Sequence, residues 1–141
     1  MEHQRFGHTI LLTVPPGEEV VQALNEVAEI YHISLAEVSG IGGVDQVKLG
    51  FYQLDTQEYL EQDYEGTFEM LSLMGNITLK DGEIFGHYHG QFADTSADVF
   101  GGHLLASRVF ATAELFIRDL GGAIDRSEDP ETGIEVIAFE E

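Results

Sequence analysis

The chain has 141 residues, of which 43% are hydrophobic, 16 are glycine and none is cysteine. This length and composition predict one globular domain over residues 1–141, with a core that needs no disulfide bonds. The missing cysteines exclude a cysteine-ligated zinc site. No apolar run approaches the roughly 18 residues of a membrane span, so we expect no membrane contact. A protein without disulfides suits a cytosol, and we therefore expect a cytoplasmic location.

The net charge is the most extreme bulk property. Six Lys and Arg residues face 26 Asp and Glu residues, which gives a formal charge of -20. Proteins that bind nucleic acid neutralise phosphates with clustered cations, and the six cations here are scattered. The charge therefore argues against direct binding to nucleic acid. Solubility, or a habitat of high salt, is the simpler explanation of the acidity.

The N-terminal part predicts a strand, a helix and a second strand. The strands cover residues 8–14 and 34–41. The helix covers residues 18–32, because apolar side chains recur there at helical spacing. Glu18 and Glu19 suit its first turn, where carboxylates interact favourably with the helix dipole.

The sequence after residue 41 predicts strands joined by short turns. A tight turn at residues 80–82 makes a hairpin of its two flanking strands, and residues 94–98 form another turn. One helix followed by many strands predicts the α+β class, with a largely antiparallel sheet of about seven or more strands and one main N-terminal helix. The predicted strands cover residues 44–53, 59–64 (a weaker pattern), 68–79, 84–93, 100–105, 109–117 and 134–139.

Three histidines form the pattern that is most informative about function. His87 and His89 are two residues apart on a predicted strand, so both imidazoles point to the same face while Tyr88 points to the other. His103 follows a turn that can bring the chain back beside the strand that carries His87 and His89. Three neutral imidazoles with an open position are typical of a catalytic zinc site, although iron, manganese and nickel also accept imidazole. The alternative is that these are surface or hydrogen-bonded histidines of a Tyr- and Gly-rich hairpin.

Two carboxylates interrupt apolar strands, Glu69 and Glu114. Each lies either on a solvated sheet face, which is the commoner case, or buried with a partner. Near a metal, either could be a ligand, a partner of an imidazole or a catalytic acid or base. Arg108 is a weaker candidate to clamp a substrate carboxylate. Asp94 could orient a histidine or simply stabilise its turn.

Several further motifs cover nearly the whole chain. They are Ser-Gly-Ile-Gly-Gly (39–43), Leu-Gly-Phe-Tyr (49–52), Gly-Thr-Phe-Glu-Met-Leu-Ser-Leu (66–73), Met-Gly-Asn-Ile (74–77), His-Tyr-His (87–89), Phe-Ala-Asp (92–94), Gly-Gly-His-Leu (101–104), Ala-Glu (113–114), and Arg126, Asp129, Thr132 and Gly133. Taken together, these motifs resemble the plant and prokaryote conserved (PPC) domain in its stand-alone prokaryotic form. The resemblance implies an α+β homotrimer with the histidine cluster as a metal site near a subunit boundary. The fold it implies also resembles that of acetolactate decarboxylase, which holds zinc with a His-X-His pair and a third histidine.

Plant members of this family carry AT-hook segments that bind DNA, and prokaryotic members are often called putative DNA-binding proteins. The hook is absent here, and Thr67 stands where the plant motif Gly-Arg-Phe-Glu-Ile-Leu has arginine. Three functions follow as hypotheses. The first is a metal-binding homotrimer that serves regulation or assembly. The second is a metal-dependent lyase or hydrolase acting on a small oxo or hydroxy acid, with Glu69 or Glu114 moving a proton. The third, which the charge disfavours, is DNA binding.

Overall fold

The structure is a computed structural model that describes residues 1–140. It contains one helix and eight strands within those residues. The α+β class, the largely antiparallel sheet and the single N-terminal helix are thereby confirmed. In chain order the elements are β1 (Glu2–Phe6), β2 (Thr9–Val14), α1 (Val20–Ile30), β3 (Ala36–Gln53), β4 (Glu58–Lys80), β5 (Glu83–Ala93), β6 (Val99–Asp119), β7 (Asp125–Glu128) and β8 (Glu135–Ala138).

All eight strands belong to one sheet, and seven of them follow the order β1-β2-β6-β3-β4-β7-β8. The pairings are antiparallel except for a parallel contact between β4 and β7. Strand β5 pairs with both β4 and β6, which themselves flank β3. The pairings of β3, β4, β5 and β6 therefore close into a ring, and this ring brings β5 and the start of β6 side by side.

Helix α1 covers the inner face of the sheet. Its apolar side chains pack against β6, β5 and β2, and five of them are buried. Glu19 caps the N-terminus in an extended conformation, so the helix begins at Val20 and not at residue 18. It ends at Ile30, two residues earlier than predicted, because His32 takes a left-handed conformation with φ 54. No helix among residues 1–140 is long and apolar enough to span a membrane.

Three of the predicted strand breaks are wrong. Residues 36–41 of the predicted strand 34–41 lie with residues 44–53 in the single strand β3, which begins at Ala36. Residues 59–64 and 68–79 lie in β4, and residues 100–105 and 109–117 lie in β6. The glycines of β3 cause shifts of register instead of a turn. At Gly42 a Cβ would meet the Thr112 carbonyl oxygen at 2.7 Å, so the missing side chain lets β3 pack closely on β6.

The sequence analysis missed two short strands, β1 and β7. Their residues are mostly exposed and polar, so they lack the alternation that identifies a half-buried strand. Strand β8 begins at Glu135 and ends at Ala138, one residue inside each predicted limit.

Candidate metal centre

Strand β5 presents two of the three histidines on one face. Tyr88 between them is 1% exposed and donates a hydrogen bond from its hydroxyl to Asn25 Oδ1 of α1 at 2.8 Å. Because side chains alternate along a strand, this inward anchor turns His87 and His89 to the opposite face of the sheet. The imidazole rings of the two histidines are 5.2 Å apart, centroid to centroid.

The first residues of β6 bring the third histidine to the same place. His103 lies directly opposite His89 in the antiparallel register. Its ring centroid is 5.3 Å from that of His87 and 5.5 Å from that of His89. One ring nitrogen from each histidine lies within 4.8 Å of the other two. The structure thus brings together the three residues that the sequence singled out.

Glycines allow the strands to approach each other at this point. At Gly75 of β4, an added Cβ would overlap the His87 carbonyl oxygen and lie 2.9 Å from Tyr88 Cα. At Gly101 of β6, it would lie 2.5 Å from the Gly90 carbonyl oxygen. Side chains at either position would therefore push apart the strands that hold the imidazoles.

Burial keeps two of the imidazoles neutral. Burial, together with the neighbouring imidazoles of His87 and His89, lowers the pKa of His103 to about 4. Burial also lowers the pKa of His87, together with His89 and the Arg126 guanidinium. A metal ion binds the neutral imidazole, so these pKa values leave His87 and His103 ready to bind at neutral pH.

The donor set fits a divalent metal ion of the borderline class. A tetrahedral zinc site with Zn–N bonds of about 2.0–2.1 Å places its ligand nitrogens about 3.4 Å apart, which small side-chain rotations reach from the observed separation. Among the described residues, no carboxylate belongs to the group. Three imidazoles could thus hold the ion and leave further coordination positions open.

Two other residues, Asn76 and Tyr59, lie beside the histidines, and the sequence analysis gave neither a role at the site. Asn76 is opposite His87 and accepts a hydrogen bond from Arg126 at 2.8 Å. Asn76 could have been found from the sequence. A two-residue loop at residues 81–82 pairs Lys80 with Glu83, and this register places Asn76 opposite His87. The Tyr59 ring centroid is 5.2 Å from that of His103. Tyr59 pairs with Tyr52 of β3 across a short hairpin, and it reaches His103 because β3 also pairs with β6, where Gly50 is opposite His103. That second pairing is long-range, and no local pattern predicts it.

The two carboxylates lie together but apart from the histidines. Both are exposed and line a depression of about 440 Å³ on the outer face, along with Ile41 and Phe110. Glu69 is opposite Ala93, which is four residues along β5 from His89. At about 3.3 Å per residue, this is a separation of about 13 Å. Within one chain, neither Glu69 nor Glu114 reaches a metal ion bound by the three imidazoles.

The two weaker candidates make structural contacts. Arg108 donates two hydrogen bonds to the Asp45 carboxylate, at 2.9 and 3.0 Å, so its guanidinium is already paired. Asp94 accepts hydrogen bonds from the backbone N–H groups of Ser96 and Asp98, which stabilises the turn before β6. The turn role of Asp94 is therefore the one the structure shows.

Solved structures match this fold over its full length. A PPC protein from Pyrococcus horikoshii is 33% identical, with a TM-score of 0.87 and coverage of 99% of this chain and 95% of that one. A metal-containing protein from Archaeoglobus fulgidus is 32% identical, with a TM-score of 0.87 and coverage of 96% of both chains. A Bacteroides thetaiotaomicron protein described as a "putative dna binding protein" is 24% identical, with a TM-score of 0.96 and coverage of 99% and 98%.

The expected likeness to acetolactate decarboxylase is present at the level of fold. A Staphylococcus aureus protein described as similar to that enzyme matches 82% of this chain and 53% of its own, at 13% identity and a TM-score of 0.54. No curated protein matches the sequence. The model of the Plants and Prokaryotes Conserved (PCC) domain matches residues 1–121. This is the same domain family as the PPC domain. The chain therefore belongs to the Plants and Prokaryotes Conserved domain family.

Proposed function

We propose that this protein is a metal-binding module that holds one divalent ion, most suitably zinc, through His87, His89 and His103. The observation that carries the proposal is the convergence of three ligand nitrogens within 4.8 Å of one another. The metal-containing relative from Archaeoglobus, with 32% identity over 96% of both chains, supports it. Zinc is the first choice because it accepts neutral imidazoles in a tetrahedral site without a preference imposed by d-electrons.

The module works as a homotrimer in the cytoplasm, where it serves regulation or the assembly of other proteins. Large apolar side chains on the outer face of the sheet support self-association. They are 40–66% exposed, and side chains of this kind are typically covered by a partner when they lie close together. They are Ile41, Leu71, Met74, Val99, Phe110 and Phe116. Sedimentation equilibrium should give three times the chain mass of 15.6 kDa.

A metal-dependent enzyme is the second candidate, because three protein ligands leave a position for water or substrate. The ion would polarise a carbonyl or enolate oxygen of a small oxo or hydroxy acid in a lyase or hydrolase reaction. Glu69 or Glu114 could move a proton in such a reaction if a neighbouring subunit brought it to the ion. Loss of turnover in Glu69→Gln and Glu114→Gln variants with full metal content would support this candidate.

The distribution of positive charge argues against DNA binding, which the descriptions of some relatives suggest. Five of the six Lys and Arg side chains form ion pairs with carboxylates, and the sixth, Arg126, is 8% exposed. Within residues 1–140, no cluster of free cations is left to neutralise phosphates. A titration of duplex DNA near physiological salt should show no binding. Micromolar affinity with a steep salt dependence would restore DNA binding as a function.

The metal site is tested by measuring the metal content of single variants after zinc loading and dialysis. His87→Ala, His89→Ala and His103→Ala should each lose most of the bound ion, because each removes one of three ligands. His32→Ala is the matched control, because His32 follows α1, outside the cluster. Full zinc retention in all three cluster variants would refute the site.

A further inference from the structure

We infer that Tyr59 belongs to the metal centre and that its hydroxyl donates a hydrogen bond to a small carboxylate bound at the ion. This inference rests on the proposed metal site and goes beyond it. It adds a residue that contacts the ligand and names the chemical class of that ligand.

The position of Tyr59 depends on a gap beside His103. The two rings are 5.2 Å apart and inclined at 33°. Gly50 lies opposite His103 in the register of β3 with β6. A Cβ on Gly50 would lie only 3.0 Å from Tyr59 Cδ1. The ring of Tyr59 therefore occupies the space that a side chain at residue 50 would otherwise fill.

A second tyrosine supports Tyr59 from another side. The Tyr52 ring packs edge-on against it, with centroids 5.0 Å apart. Tyr52 is itself fixed, because its hydroxyl donates a hydrogen bond to the Thr132 carbonyl oxygen. A ring held in this way loses little conformational entropy when a ligand binds, which favours recognition.

Among the tyrosine hydroxyls of the described residues 1–140, that of Tyr59 is the one without a hydrogen-bond partner, so it is available to a ligand. Tyr59 is 47% exposed, so its hydroxyl can be reached from solvent. The chain has five tyrosines. The hydroxyls of the other four form hydrogen bonds within residues 1–140: Tyr31 with His3, Tyr52 with Thr132, Tyr64 with Gln62 and Tyr88 with Asn25.

The charge of the loaded site favours an anion. Three neutral imidazoles leave both positive charges of a divalent ion uncompensated, and no carboxylate groups with them among the described residues. The guanidinium of Arg126 adds positive charge nearby, through its contact with Asn76 opposite His87. A protein with a net charge of -20 thus has a locally positive site. A carboxylate could bind the ion with one oxygen and accept a hydrogen bond from the Tyr59 hydroxyl with the other.

The test is a titration of the cobalt-loaded protein with acetate at one fixed pH, followed by the visible absorption of Co²⁺. Tyr59→Phe keeps the ring and removes the hydroxyl. It should bind Co²⁺ as tightly as the wild type, while acetate binding weakens by roughly tenfold or more, as expected for a lost hydrogen bond to a charged acceptor. Tyr64→Phe is the matched control, because it removes a hydroxyl from the same strand that is bonded to Gln62. It should bind acetate as the wild type does.

Two results would overturn the inference and leave the metal site standing. One is equal acetate affinity in Tyr59→Phe and the wild type. The other is a loss of Co²⁺ itself in Tyr59→Phe, because the residue would then act on the ion and not on its ligand. A wild-type protein that binds no Co²⁺ would instead refute the metal site, and the role of Tyr59 with it.

Discussion

Replacing Gly75 with alanine should destabilise the fold and weaken the metal centre at the same time. A Cβ at this position would overlap the His87 carbonyl oxygen and approach Tyr88 Cα to 2.9 Å. Both atoms belong to the backbone of β5, so no side-chain rotation relieves the clash. Overpacking costs about 1–3 kcal/mol, and each disturbed ladder hydrogen bond adds about 1 kcal/mol. We therefore expect a loss of about 3 kcal/mol in the free energy of unfolding.

Thermal and denaturant unfolding measure this loss. With an unfolding entropy of about 2.1 cal/mol/K per residue, a loss of about 3 kcal/mol lowers Tm by about 10 °C for a chain of 141 residues. Gly122→Ala is the matched control, because its Cβ would make only an ordinary contact at 3.5 Å with Leu35 Cδ2. The reasoning is refuted if Gly75→Ala melts within about 2 °C of the wild type and keeps its zinc affinity.

Two further predictions concern Glu19 and His103. Glu19→Ala removes one carboxylate that accepts hydrogen bonds from the backbone N–H groups of Val21, Gln22 and Ser107. The free energy of unfolding, measured by urea denaturation, should therefore fall by about 2 kcal/mol. An unchanged denaturation midpoint would contradict this prediction. The pKa of His103 is lowered to about 4 in the fold from its ordinary 6.5. The unfolded chain therefore binds more protons between these values, and the metal-free protein should lose stability as the pH falls from about 6.5 towards 4. This loss should be smaller in His103→Gln, and equal pH dependence in the two proteins would contradict it.

The sequence was sufficient for the class of the fold and for the three histidines because both depend on short-range patterns. The two-residue period of β5 places His87 and His89 on one face whatever surrounds them. The lengths of β3 and β4 could not be predicted, because Gly42, Gly43 and Gly66 lie at the predicted breaks and glycine is typical of turns. Gly42 shows this: its lack of a side chain serves the close packing of β6, as the approach of Thr112 shows. The predicted break in β6, at residues 106–108, contains no glycine, and only the pairing with β3 shows that the strand continues there.

The roles of Glu69 and Tyr59 show the same limit at the site. Glu69 is a candidate site residue in the sequence because it interrupts an apolar run. In the structure it lies on the outer face, about 13 Å along the sheet from His89. Tyr59 lies in a strand with a weak pattern and contacts His103 only because β3 joins β4 to β6. Side chains that meet across distant strands need the register of the whole sheet, which local periodicity does not supply.

Anomalous X-ray diffraction from zinc-loaded crystals, measured on both sides of the zinc absorption edge, tests the central claim most directly. We expect one anomalous peak per chain, about 2.0–2.1 Å from one ring nitrogen of each of His87, His89 and His103. At least one further coordination position should hold water or a small ligand. A peak located elsewhere, or no peak between these three imidazoles in a zinc-saturated crystal, would contradict the account.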